Sequence, residues 1–300
     1  MKIKSLYVLL IILLASTLFV FSVYRPTGSD DNYQERWELL PTNNPQDITK
    51  FVYKKSDAER IEIEQSDSGW IITYPIKTEG SKFSIDLMIK SIISSRLRAV
   101  FYNVTDLSHY GLENPECQIL LFSKISSKPD TLHIGDKTPT SDECYFRINS
   151  SNDVMLSPDI PVEFSEKTLF HLRNKMLIDI DKDNINKLTF RSSKGDFTID
   201  KSKNSWDSDE ISVPSKDVSM AENNFLESLS KALIYQFPSE NNDNLEAFGL
   251  ENPDYSITIE TLDEEITIYF GDRLSDKIYA RKSNRAGVLL IKSDILAVFN

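Results

Sequence analysis

The sequence predicts an α+β protein made of two tandem homologous domains, each a mostly antiparallel sheet with one main amphipathic helix, behind a single N-terminal transmembrane helix. Three observations carry that expectation. Tyr110-Gly111-Leu112-Glu113-Asn114-Pro115 returns as Phe248-Gly249-Leu250-Glu251-Asn252-Pro253, and a period this long marks a copied folding unit rather than a solenoid of short repeats. Runs of alternating apolar and polar residues surround each copy, as half-buried strands require. Leu6 to Val23 is apolar apart from small or hydroxyl residues and Tyr7, a length that at about 1.5 Å per residue crosses the roughly 30 Å hydrocarbon layer.

At the N-terminus, a cleaved secretory signal is the rival to an anchor, but it wants a shorter core and a small-x-small cleavage site. Here bulky Phe21 and Val23 flank Ser22, so residues 1–25 are expected to stay as an uncleaved anchor. Lys2 and Lys4 precede the span and favour a cytoplasmic N-terminus. The bulk of the chain is then extracytoplasmic at a cytoplasmic (inner) membrane. Residues 26–46, with Pro26, Pro41 and Pro45, read as a tether; repeat domain 1 is expected at 47–180 and repeat domain 2 at 181–300.

In copy one Ile48-Thr49-Lys50-Phe51-Val52-Tyr53 and Ile61-Glu62-Ile63-Glu64 lead to Trp70; in copy two Ile185 to Phe190 and Phe197-Thr198-Ile199-Asp200 lead to Trp206. Each copy therefore opens as an antiparallel meander ending at a tryptophan. A helix follows. Ser84 precedes Ile85, Met88, Ile89, Ile92, Ile93 and Leu97 at three- and four-residue steps, and Ser219 precedes Phe225, Leu226, Leu229 and Leu233. Serine is a good N-cap, and Asp86 or Glu222 in the first turn suits the helix dipole. A polar connection then leads to the repeated block. Its glycine allows positive φ, its leucine can plug the core and its proline bars further helix, so the block is expected to be a turn that launches a strand.

Strands are expected at Cys117 to Phe122 and Ser256 to Thr261, then at Thr131 to Ile134 and Ile266 to Phe270, each second strand ending in a Gly-Asp hairpin or bulge, Gly135-Asp136 and Gly271-Asp272. Tyr145-Phe146-Arg147 matches Tyr279-Ala280-Arg281, and Val154-Met155-Leu156 matches Val288-Leu289-Leu290; Asp159-Ile160 and Asp294-Ile295 close the copies. Phe170 to Leu177 joins them with no Gly/Ser-rich composition, which argues for a packed connection.

Composition narrows the function. Forty per cent apolar residues supply real cores and exclude a disordered chain. The formal charge of −12 includes Lys2 and Lys4, so the exported part is more acidic still; it repels phosphate backbones and anionic headgroups, which argues against nucleic acid and peripheral membrane binding. Cys117 and Cys144 both fall in copy one, opposite Tyr255 and Ile278, so the duplicated fold does not need them; a disulfide and two buried thiols both remain open.

Candidate chemistry is sparse. His109, His133 and His171 are scattered, and copy two places Ala247 and Tyr269 opposite the first two, so no metal site is expected. No GxSxG, Walker-type loop, HExxH or GxGxxG occurs. Asp136 with Arg147 and Asp272 with Arg281 recur in both copies, either as ion pairs between strands or as an acid and base in a cleft. Trp70 and Trp206 suit core or helix packing, with sugar stacking as the sharper alternative. The acid run Asp263-Glu264-Glu265 fits a hairpin. No catalytic, cofactor-binding or metal-binding residue is assigned, and no cofactor is expected.

The order of strand, tryptophan, helix, Tyr-Gly-Leu-x-x-Pro, Ile-Gly-Asp and Tyr-x-Arg, then Leu-Arg-Asn-Lys-Met-Leu and a second round, resembles a bacterial family of membrane-anchored proteins catalogued as domain of unknown function 4340, over residues 47–299. Many members are encoded beside ABC-type permeases and proteins associated with gliding motility. The resemblance implies a non-enzymatic accessory or scaffold protein in an envelope transport assembly, with a membrane protein as partner. A glycan-binding module of the cell envelope, using the cleft between the domains, is the alternative.

Overall fold

The computed structural model describes residues 40, 44–55, 60–139, 143–160, 162–193, 195–200, 205–208 and 225–299. The N-terminal apolar run, Ser219 and Glu222 lie outside them. Among the described residues no helix is long and apolar enough to cross a membrane.

The chain divides into two compact units, with the boundary between Arg173 and Asn174. In the first unit the meander forms β1 (Ile48–Lys55), β2 (Arg60–Ser66) and β3 (Gly69–Tyr74), followed by a short β4 (Thr78–Glu79) and helix α1 (Lys82–Ile93). Then come β5 (Ala99–Phe101), β6 (Cys117–Ser123), β7 (Asp130–Lys137), β8 (Cys144–Ile148) and β9 (Val154–Leu156). They build one nine-stranded sheet in the order β4-β3-β2-β1-β6-β7-β8-β9-β5, antiparallel throughout. A four-residue helix, Leu169–Leu172, ends the unit.

The second unit repeats the plan. Its strands are β10 (Lys187–Ser192), β11 (Gly195–Asp200), β12 (Ser205–Ser208), β13 (Ile234–Ser239), β14 (Tyr255–Glu260), β15 (Glu265–Leu274), β16 (Lys277–Lys282) and β17 (Arg285–Lys292). The sheet order is β12-β11-β10-β14-β15-β16-β17-β13, the first sheet strand for strand but for β4. Helical residues 225–230 precede β13. Alternation explains the cores. Ile61, Ile63, Trp70 and Ile72 face inward in the first sheet, as Leu188, Phe190, Ile257, Ile259, Ile268 and Phe270 do in the second. Each unit has its own apolar cluster, and burial of such side chains is the main term favouring the fold.

Two expectations are corrected. The connection from the helix to the repeated block is not merely polar: it contains β5 in one unit and β13 in the other, each pairing with the last strand, β9 or β17, at the sheet edge. Few residues and irregular pairing hid these strands from periodicity. The N-cap of α1 is Ser81, one turn before Ser84; its hydroxyl accepts from the Ser84 N–H. Asp86 thus lies beyond the first turn and does not serve the helix N-terminus.

Candidate functional site

The repeated block meets the Gly-Asp turn in both units, and the meeting is built almost wholly from backbone. In the first unit a 3-10 turn, Ser108–Tyr110, ends at Gly111 with φ 65°. The Leu112 N–H donates to the Leu107 carbonyl at 3.0 Å and Gly111 N–H to the Ser108 carbonyl at 3.1 Å. In the second unit Leu245–Phe248 ends at Gly249 with φ 66°, and Leu250 and Gly249 donate to Leu245 and Glu246 at 2.9 and 3.0 Å. A left-handed residue closing a helical turn is the ordinary reason for glycine there. Leu112 and Leu250 are then fully buried.

The partner of each turn is a bulge. Pairing of β7 with β8 shifts between Ile134 and Lys137, and pairing of β15 with β16 shifts between Phe270 and Arg273, so Gly135-Asp136 and Gly271-Asp272 sit in the irregularities. The strands run on past them, whereas the sequence suggested that they end there. A side chain at Gly135 would place its Cβ 2.1 Å from the Tyr110 carbonyl oxygen and 2.9 Å from Leu112 Cγ; at Gly271 the distances to Phe248 O and Leu250 Cγ are 2.1 and 2.8 Å. Conversely, a Cβ on Gly111 or Gly249 would meet Asp136 or Asp272 Oδ1 at 2.3 or 2.5 Å. The two motifs are halves of one lock. An edge-on aromatic pair covers each, Tyr110 on Tyr145 with centroids 4.9 Å apart and Phe248 on Tyr279 at 5.0 Å.

Asp136 does not pair with Arg147, nor Asp272 with Arg281. The strand register sets Arg147 opposite His133 and Arg281 opposite Tyr269, while the bulge carries the aspartates to the glycine turns. Arg147 Nη1 donates to the carbonyls of Asn149 and Ser151 at 3.2 and 3.4 Å, bracing the turn into β9. The Arg281 guanidinium stacks 3.9 Å above the Tyr269 ring, a cation–π contact. Burial and the nearby Arg147 charge push the His133 pKa down. The acid-and-base reading thus loses its geometry.

Trp70, His171 and the acid run are also engaged in structure. Trp70 is 6% exposed, and its Nε1 donates to Asp86 Oδ1 at 2.7 Å, stapling β3 to α1. It offers no open face to a sugar. Trp206 lies on β12 opposite Ile199. His109 is an exposed turn residue beside Asp106. The His171 ring caps its own short helix, with Nδ1 accepting from the Thr168 N–H at 3.1 Å. Asp263-Glu264-Glu265 form the β14–β15 hairpin, where Thr261 Oγ1 accepts from Asp263 and Glu264 N–H groups. Cys117 and Cys144 are free, buried thiols on β6 and β8, with β7 between them. Two strand spacings, about 9.6 Å, exceed the Cα separation a disulfide tolerates. Burial pushes the thiols up to about 12 and about 11. Among the described residues no group of three or more His, Cys, Asp or Glu is placed to hold a metal ion.

Fold and site together define a tandemly duplicated, β-rich α+β protein whose repeated motifs serve as interlocking backbone turns. The family model described as Domain of unknown function (DUF4340) matches residues 70–237 and, again, 221–299. The chain belongs to this family. Neither the curated proteins nor the solved structures gave a match.

Proposed function

We propose that the chain is a non-enzymatic accessory or scaffold protein, held at the cytoplasmic membrane by Leu6 to Val23 with both units on the extracytoplasmic side, and that it works by docking to a membrane partner, an ABC-type permease or associated envelope protein. One observation carries the reading: the residue sets that recur in both units, the two best candidates for chemistry, are spent on the lock, on bracing a turn in the first unit and on a ring stack in the second. The apolar run and the resemblance supply the membrane and the class of partner. The glycan alternative draws nothing from Trp70, which is buried against α1. Crosslinking in native membranes, followed by affinity purification from detergent, tests the proposal. Recovery of one membrane transport component in repeated preparations is expected; repeated recovery of none counts against it.

A further inference from the structure

We propose that the outer face of α1 lies on the lipid surface. The inference rests on the membrane anchorage proposed above. Phe83 and Leu87 are 78% and 50% exposed, and with exposed Lys90 they follow one another at four- and three-residue steps, which forms a single stripe along a helix. Lys82 stands at the same end as Phe83, and the one acid of the helix, Asp86, is held by Trp70 and Lys82. Aromatic and aliphatic side chains flanked by lysines match the boundary between headgroups and acyl chains. With Lys82 paired to Asp86, Lys90 leaves the helix a net positive charge on a chain of formal charge −12, whose remaining surface is repelled by anionic lipid.

The duplication shows that the stripe is not a requirement of the fold. Aligning the sequence so that buried Met88, Ile89 and Ile92 match buried Phe225, Leu226 and Leu229 puts Glu227 opposite Lys90 and Asn224 opposite Leu87. Glu227 instead makes a local pair with Lys231. The position of the chain's entry also favours lipid. Leu40 is buried in the same core cluster as the inner face of α1, and the 3-10 turn Pro45–Asp47 touches the helix. Between Val23 and Leu40 the chain spans at most ~60 Å, so the anchor delivers α1 close to the bilayer at high effective concentration. Two apolar side chains are too few for a stable protein interface, which buries about 800 Å² per partner. They are enough for a contact that is already tethered.

The test uses the full chain in vesicles of phosphatidylcholine and phosphatidylglycerol, with a nitroxide attached at Leu87→Cys or, for comparison, at Ile125→Cys. Ile125 is 58% exposed in the same unit, and the unsubstituted chain with its two buried thiols supplies the blank. At Leu87→Cys the collision rate with a water-soluble nickel chelate should fall several-fold relative to Ile125→Cys while the rate with oxygen rises. Adding Lys90→Glu should return part of the nickel accessibility. Equal nickel accessibility at the two positions in a chain that stays with the vesicles overturns the lipid contact and leaves the anchor standing. Loss of both nickel and oxygen access means that a protein, such as a second copy, covers the face, and also overturns it. A chain that washes off in carbonate overturns the anchor and the contact together.

Discussion

The two units share a strand order but not the residues that line it, and the difference separates what the backbone demands from what side chains merely fill. Both units keep the left-handed glycine, the buried leucine and the glycine that a carbonyl approaches. At those glycines any Cβ would force neighbouring atoms to move, which accounts for glycine in both units. Elsewhere the fillings diverge. Tyr53 in the first unit donates its hydroxyl to the Ser165 carbonyl at 2.8 Å, while Phe190 in the second packs edge-on against Phe225. The first sheet's outer face ties Lys50 to Glu62 and Glu64; the second carries a row of threonines, Thr198, Thr189, Thr258 and Thr267, on neighbouring strands. A function peculiar to one unit should be sought among such fillings, as with the outer face of α1.

The largest expected effect tests the sameness of the locks. Leu112→Ala and Leu250→Ala each empty a fully buried position beneath the turn and should cost about 2–5 kcal/mol, with the loss confined to the substituted unit. Hydrogen exchange by segment measures this; a large loss in one unit and none in the other would break the equivalence. Next comes the staple of β3 to α1. Trp70→Phe removes the indole donor to Asp86 and part of a buried ring, and should cost about 1–3 kcal/mol. The loss should appear as faster exchange in α1 within the first unit.

A difference between the units appears in acid. Because burial depresses the His133 pKa in the folded state, the unfolded chain binds the proton first. The contribution is fully present above the unfolded value of about 6.5 and is lost as pH falls from there through the lower folded value. The first unit should therefore weaken over that window, and His133→Tyr, the residue of the second unit, should remove this dependence. Segment-resolved exchange between pH 7 and pH 5 checks it; an unchanged slope in the variant would assign the effect elsewhere. The smallest effect is chemical. With both thiols buried and their pKa values raised to about 12 and about 11, maleimide at pH 7 should label Cys117 and Cys144 only after denaturation. Without reductant the unfolded protein should take up two labels.

Much of this plan was legible before the structure because period-two alternation and a repeated hexapeptide both leave marks in sequence. The three-stranded meanders, the turn at Gly111 and Gly249 and the unneeded cysteines follow from those marks, although each tryptophan opens the third strand instead of ending it. The helix start at Ser81 did not, because Phe83 faces outward and so breaks the apolar rhythm that begins at Ile85. The false pairing of Asp136 with Arg147 has a similar cause. Spacing shows that two residues lie on adjoining strands, but a bulge decides which faces they share, and β7 slips its register between them. Strands β5 and β13 were hidden because only the far end of each copy, β9 or β17, gives them a partner.

The claim that the hexapeptide and the Gly-Asp turn form one structural lock used twice is tested most directly by hydrogen exchange on Gly135→Ala and Gly271→Ala, measured side by side in the full chain. Each new methyl must displace a carbonyl that sits 2.1 Å from its position. Gly135→Ala should deprotect β6, β7 and the turn before Gly111 and leave β14 and β15 intact; Gly271→Ala should do the reverse. Full protection in both variants, together with loss of the partner's crosslink in native membranes, would show instead that the motif is a binding site.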